Sequence, residues 1–142
     1  AFSAARNWGA DVPTAYAVQI ALGLLLAVSI VWLWRSEAAF ELKAAGLASA
    51  SLLATPYVLD YDLVVLALAI AFFVRHAAIS GFRNYEKSLL AAAWAVPLLA
   101  RAVAGATGIP LGLIVLLLFY GMILHRAVSE SAAFTSARLA QA

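Results

Sequence analysis

Long apolar runs separated by short polar stretches dominate the chain. Residues 14–34 are 21 residues without a charge, and Gln19 is the only strongly polar one among them. With a rise of about 1.5 Å per residue, a helix of that length reaches about 31 Å, which matches the ~30 Å hydrocarbon core of a bilayer. Trp32 and Trp34 at one end suit the membrane interface. The pattern predicts a membrane-spanning helix, which Pro13 could open.

Four further apolar segments predict four more helices, over residues 40–55, 62–74, 88–106 and 109–124. The two segments before residue 75 are short, so they are either tilted or capped spans or a re-entrant hairpin. Both alternatives return the chain to the side it left. We interpret residues 1–13 as an interfacial segment and residues 127–142 as a C-terminal tail.

Small residues and prolines refine this prediction. Gly46, Ala50 and Ala54 recur every four residues, a spacing that lets helix backbones approach closely. Pro97 lies within the fourth predicted helix and is expected to kink it. Gly108 and Pro110 mark the tight turn before the last helix.

The composition supports a membrane protein. Hydrophobic residues make up 66% of the 142 residues and charged residues 11%, and the mean hydropathy is +0.99. Soluble domains have about 45–50% apolar and about 25% charged residues. We therefore predict an all-α fold, a polytopic transmembrane bundle of about five spanning helices in one region, residues 1–142. Because the chain begins with Ala1, we expect a processed product or the C-terminal fragment of a larger membrane enzyme.

Charge and cysteine content exclude several classes of function. The net charge of +2 is too weak and too scattered for nucleic-acid binding. There is no cysteine, so disulfides and thiolate metal sites are excluded. His76 and His125 lie far apart in sequence and have no acidic companion pattern, so no metal site is predicted there.

The distribution of cations predicts the orientation. With five spans and Ala1 outside, two of the nine Lys/Arg lie outside, Arg6 and Arg101. The remaining seven fall on the inner side, and cytoplasmic loops are enriched in such residues. The junction between the second and third helices then faces the non-cytoplasmic side.

That junction carries the densest group of polar and aromatic residues: Tyr57, Asp60, Tyr61 and Asp62. In one interpretation Asp60 caps the following helix, Asp62 favours the positive end of its dipole, and the tyrosines anchor the interface. In a second, compatible one, the carboxylates and rings bind a substrate through sugar hydroxyls.

Two other interpretations of these acids remain. Asp60-Tyr61-Asp62 has the D-x-D form with which soluble glycosyltransferases bind a divalent cation and a nucleotide sugar. On a helix, however, positions i and i+2 lie about 200° apart, so both carboxylates reach one ion only if the segment is extended. Acids near hydrocarbon also occur in proton or ion paths.

Two polar residues elsewhere are also of interest. Arg101 lies near the outer end of the fourth helix and could grip a lipid phosphate with paired hydrogen bonds, or could instead extend to the interface. We interpret Gln19 as a helix–helix hydrogen bond.

The sequence LLATPYVLDYDLVVLALAIAF, residues 52–72, resembles the late transmembrane region of glycosyltransferase family 87, bacterial integral-membrane enzymes of the GT-C type. AYAVQ at residues 15–19, Gly81-Phe82 with Glu86 nearby, and residues 94–97 add to the resemblance. It extends over most of the chain, and its specific part is the group Thr55-Pro56-Tyr57 with the two aspartates.

The resemblance implies a polyprenyl-phosphate-linked sugar donor, often of mannose, and transfer to a glycan or lipid acceptor on the outer face of the bacterial cytoplasmic membrane. We predict no cofactor. In GT-C enzymes the usual catalytic base is an acidic residue in the first outer loop, which would lie upstream of this chain. By this resemblance Tyr57, Asp60, Tyr61, Asp62 and Arg101 are candidate substrate-binding residues, without an assigned catalytic role. The alternative is a non-enzymatic helical membrane module, such as a carrier half or an assembly subunit.

Overall fold

The computed structural model describes residues 1–56 and 63–139. These residues form six α-helices and no strand, which confirms the predicted all-α class. The helices are α1 (Phe2–Asn7), α2 (Val12–Arg35), α3 (Phe40–Ala54), α4 (Leu63–Ser80), α5 (Glu86–Thr107) and α6 (Leu111–Leu139).

Helix α2 begins where local chemistry favours a helix start. The Asp11 carboxylate accepts a hydrogen bond from the backbone N–H of Thr14 at 3.1 Å, and Pro13 lies in the first turn. Hydrogen bonding from Thr14, through its side chain and its backbone, lowers the pKa of the exposed Asp11 carboxyl. The prediction that Pro13 opens the first long helix is confirmed.

The apolar surface of α2 lies largely outside the bundle. In its most apolar 18-residue stretch, 17% of the residues are buried. Leu24, Leu25 and Val28 are all more than half exposed. An apolar helix with so little cover from its own chain differs from the core helix of a soluble protein, which is mostly buried.

Two helical segments are long and apolar enough to cross a membrane, Val12–Arg35 and Leu111–Phe134, within the residues that the structure describes. The predicted number of five is therefore not obtained. Helix α3 has 15 residues, and the apolar segment Val64–Ser80 is also shorter than a span. In α5 the charge of Arg101 interrupts the apolar sequence.

Helices α4 and α6 extend further than their sequence patterns predict. Arg75 and His76 were expected to end α4 but lie inside it, because Arg75 reaches an exposed ion pair with Glu41 and the buried His76 finds a partner, Glu130, in α6. Helix α6 continues to Leu139, through most of the segment interpreted as a tail. Residues 127–139 contain neither glycine nor proline to end the helix.

Helix α3 lies at the centre of the bundle and contacts α2, α4 and α6. Its Gly46 is buried, and a Cβ atom added there would lie 2.5 Å from Cδ2 of Leu33 on α2 and 3.7 Å from Cγ2 of Ile123 on α6. Ala50 is also buried, whereas Ala54 is exposed. The predicted close approach of helix backbones is therefore confirmed at Gly46.

The contacts between helix ends define two ends of the bundle. Gln19, early in α2, contacts the last turn of α3, and Glu41, early in α3, contacts Arg75 late in α4. Arg126, just past the middle of α6, contacts Glu86 at the start of α5. We call the end that holds Gln19 and Ala54 the outer end, and the end that holds Glu86 and Arg126 the inner end, following the orientation predicted from the cations.

Candidate functional site

The predicted site residues fall largely beyond the described part of the chain. Tyr57, Asp60, Tyr61 and Asp62 lie in the gap between residues 56 and 63, outside the described residues. The backbone of Arg101 belongs to α5, but its side chain is also outside what the structure describes. The roles assigned to these five residues stay predictions. The described residues before the gap show what surrounds Thr55 and Pro56.

A cavity of about 340 Å³ lies at the outer end, beside Thr55 and Pro56. This volume falls within the range of about 300–1,000 Å³ that is typical of small-molecule sites. Four parts of the chain form its walls: α1, the end of α3, the middle of α5 and the start of α6. They contribute, among others, Ser3, Asn7, Leu53, Pro97, Ala100, Ala104, Leu111 and Leu116.

The described lining of the cavity is mostly apolar. Most lining residues are alanine, leucine, proline or valine, and no titratable side chain is among those that the structure describes there. The Ser3 hydroxyl donates to the carbonyl of Pro56 at 3.4 Å, and the Thr55 hydroxyl donates to the carbonyl of Ser51 at 2.9 Å. Such a lining suits an apolar ligand.

Pro97 lies on the cavity wall, inside the continuous helix α5. Because proline has no N–H, the helical hydrogen bond that residue 97 would normally donate is missing at this wall. Ala100, one turn further along, also lines the cavity, and its Cβ atom lies 3.5 Å from the position of a Cβ added at Gly112. Small residues thus bring α5 and α6 together at the cavity wall.

At the outer end, the side chain of Gln19 on α2 forms hydrogen bonds to α1 and to α3. Its side chain is 6% exposed, and its carbonyl oxygen accepts a hydrogen bond from the backbone N–H of Phe2 at 2.9 Å. Its amide nitrogen donates to the carbonyls of Leu53 and Ala54 at 3.1 and 2.8 Å. These carbonyls end α3 and have no partner further along that helix. The interpretation of Gln19 as a helix–helix hydrogen bond is confirmed, and the bond holds α1 against the cavity.

The inner end holds an ion cluster, formed by His76, Arg83, Glu86, Arg126 and Glu130, in which the Arg126–Glu86 pair is buried. The Arg126 side chain is 2% exposed, and its Nη1 lies 2.7 and 2.6 Å from the two carboxylate oxygens of Glu86. Its Nε donates to Glu130 at 3.0 Å, and Glu130 also lies 2.9 Å from Nε2 of His76. The cluster therefore ties α4, α5 and α6 together.

The remaining contacts of Arg126 complete its hydrogen bonding. Its Nη2 donates to the Ser80 hydroxyl at 2.6 Å and to the carbonyl of Gly81 at 2.9 Å. A guanidinium has five N–H donors, and these contacts occupy both Nη groups and Nε. The Arg83 backbone N–H donates to Glu86 at 2.8 Å. With its donors engaged inside the protein, Arg126 positions helices and is not available to a ligand.

Sequence reasoning did not predict the ion cluster. In the sequence analysis Glu86 was noted only as part of the family resemblance. Arg126 was only one of the seven cations predicted on the inner side. The signal was the position of Arg126 within a largely apolar helix, since charged side chains there are paired. The partner itself, 40 residues earlier in the chain, follows only from the way that the helices pack. No group of residues that could hold a metal ion occurs in residues 1–56 and 63–139.

Comparison of the chain with protein-family models, with curated proteins and with solved structures finds no match.

Proposed function

We propose that the chain is the membrane-embedded part of a glycosyltransferase, and that its outer-end cavity takes the apolar chain of a polyprenyl-phosphate sugar donor. In this proposal α2 and α6 cross the bilayer, and α3 to α5 pack beside them. The sugar, often mannose in the enzymes it resembles, is transferred to a glycan or lipid acceptor on the non-cytoplasmic side of a bacterial inner membrane.

The observation that carries the proposal is the position of the cavity. It is apolar, it is large enough for part of a lipid chain, and Thr55 and Pro56 on its wall lead directly into the acidic segment with Asp60 and Asp62. An apolar cavity whose wall precedes an acidic segment in the sequence suits an amphiphile with a hydrocarbon tail and a sugar-phosphate head. Arg101 follows Ala100 of the cavity wall and is a candidate to meet the phosphate.

The exposed apolar surface of α2 supports the membrane placement. Leu24, Leu25 and Val28 would leave a large hydrocarbon surface in water, whereas lipid tails cover it without cost. The cations also support the orientation, because seven of the nine lie on the proposed cytoplasmic side.

Filling the cavity tests the proposed function. We expect Ala104→Trp, made in the full-length protein, to reduce sugar transfer from a labelled polyprenyl-phosphate sugar in isolated membranes by about tenfold or more, because the indole occupies the space proposed for the donor chain. Ala106→Trp is the matched control, since Ala106 lies two residues away on the same helix, is exposed, and does not line the cavity.

The results of the transfer assay distinguish a role of the cavity from a role of Asp60. Equal transfer by Ala104→Trp and wild-type protein, with equal amounts in the membrane, would remove the cavity from the donor site. Asp60→Asn in the same assay examines the acidic segment independently, and a wild-type rate would remove Asp60 from substrate binding. Donor binding without any transfer by the wild-type protein would favour the non-enzymatic module.

A further inference from the structure

We propose that helix α1 is a lid over the outer-end cavity, which opens to admit a ligand and closes over it. The lid regulates the same cavity as the proposed function, and it rests on that function only for the identity of the ligand. In the structure the lid is closed, because Ser3, Ala4 and Asn7 of α1 form part of the cavity wall.

The short length of α1 distinguishes it from the rest of the cavity wall. It has six residues, and an isolated helix shorter than about 12–15 residues is marginal, so α1 depends on contacts with the rest of the protein. Among the described helices it packs chiefly against α2. The other helices that line the cavity, α3, α5 and α6, have 15, 22 and 29 residues. A movement of α1 would therefore open the cavity while those three helices stay packed.

A glycine hinge joins α1 to α2. Residues 8–11 separate the two helices, and Gly9 among them has a φ of +88°. This conformation disfavours residues that carry a Cβ atom, although an added Cβ at Gly9 would meet no atom within 4 Å. The closed position of α1 therefore depends on the backbone freedom of Gly9 and not on the space around it.

Contacts with α2 hold the lid closed. The backbone N–H of Phe2 donates to the side-chain carbonyl of Gln19 at 2.9 Å, and the ring centroids of Phe2 and Tyr16 are 4.7 Å apart. Phe2 and Ala4 are the buried residues of α1. Segments that bury so little apolar surface open locally while the rest of the protein stays folded.

A ligand in the cavity would favour the closed lid. It would contact Ser3, Ala4 and Asn7 while α1 is closed and would lose those contacts when α1 opens. A ligand shifts an equilibrium towards the state that it binds more tightly. The proposed lipid donor should therefore hold α1 closed once it has entered.

The reactivity of a cysteine at Ala4 measures the opening, since the chain has no cysteine of its own. Ala4 is 6% exposed, so its cysteine should react with N-ethylmaleimide when α1 opens. In the full-length protein in detergent, we expect Ala4→Cys to react about tenfold or more slower than Ala106→Cys, which is exposed. Added undecaprenyl phosphate should slow the reaction of Ala4→Cys further.

Gly9→Ala tests the hinge. Because alanine disfavours the φ of Gly9, this substitution should raise the reaction rate of Ala4→Cys by about tenfold. Gly23→Ala is the matched control, since an added Cβ at Gly23 also meets no atom within 4 Å but the backbone there is helical, so the rate should not change. A cysteine at Ala45, fully buried on α3, should stay unreactive in Gly9→Ala.

Three results would overturn the lid. Ala4→Cys reacting as fast as Ala106→Cys would show that α1 does not close. An unchanged rate in Gly9→Ala would remove the hinge, and equal acceleration of Ala4→Cys and Ala45→Cys would show unfolding of the whole bundle. If Gly9→Ala raises the rate but undecaprenyl phosphate does not lower it, the lid is supported and the proposed lipid donor is contradicted, so the two failures are distinguishable.

Discussion

Replacing Arg126 by methionine is expected to destabilise the protein by about 3–5 kcal/mol, the cost of breaking a buried ion pair from one side. The substitution leaves the Glu86 carboxylate 4% exposed and without its cation, and Glu130 loses one of its two close partners. The free energy of unfolding in mixed detergent micelles measures this cost. Arg35→Met is the matched control and should change stability by less than about 0.5 kcal/mol, because Arg35 is exposed at the end of α2.

The double variant Arg126→Met/Glu86→Met shows why the loss occurs. If the cost comes from an uncompensated buried charge, removal of both partners should restore part of the lost stability, since a well-packed apolar pair often replaces a buried ion pair without loss. Equal stability of Arg126→Met and wild-type protein would contradict the account of the inner end. If the double variant loses more stability than the two single variants lose together, the electrostatic explanation is contradicted.

Gly46→Leu is expected to destabilise the bundle by about 2–3 kcal/mol, because the new side chain enters the contact between α3, α2 and α6. Even the first added carbon would lie 2.5 Å from Cδ2 of Leu33, which is fully buried. The other end of that contact is Ile123, also fully buried, so the neighbours have little room to move. The free energy of unfolding again gives the measurement.

Gly23→Leu provides the matched control for this second prediction. Gly23 lies inside α2, and a Cβ atom there meets no atom within 4 Å. Leucine favours a helix over glycine by up to about 1 kcal/mol, so this control should be neutral or stabilising. Similar effects of the two substitutions would mean that α3 does not approach its neighbours as closely as described.

The sequence was sufficient for the helices whose signals are local. The apolar run after Pro13 predicted both ends of α2 to within two residues, and Gly46 correctly predicted a close helix contact. The ends of α4 were less predictable, since whether Arg75 and His76 stop a helix depends on partners in other helices. Glu41 and Glu130 supply those partners, and they are distant in sequence.

The number of spans and the sites required the three-dimensional arrangement. Apolar composition alone does not distinguish a spanning helix from a shorter one inside a bundle. Residues 40–55 were therefore counted among about five spans, with a re-entrant hairpin as the alternative, although α3 has 15 residues. Gln19 was correctly interpreted because a single polar group in an apolar helix needs a partner. The outer-end cavity has no motif, since alanine and leucine line it, and only the packing of four parts of the chain creates it.

In the proposed arrangement the bundle lies in a membrane with its cavity at the non-cytoplasmic side. Single cysteines at Thr55 and at Tyr85, introduced into a chain that has none of its own, test it most directly. We predict that a membrane-impermeant maleimide labels the Thr55→Cys protein in intact cells and labels the Tyr85→Cys protein only after the membrane is opened. Labelling of Tyr85→Cys but not Thr55→Cys in intact cells, or recovery of both proteins in the soluble fraction, would contradict the account.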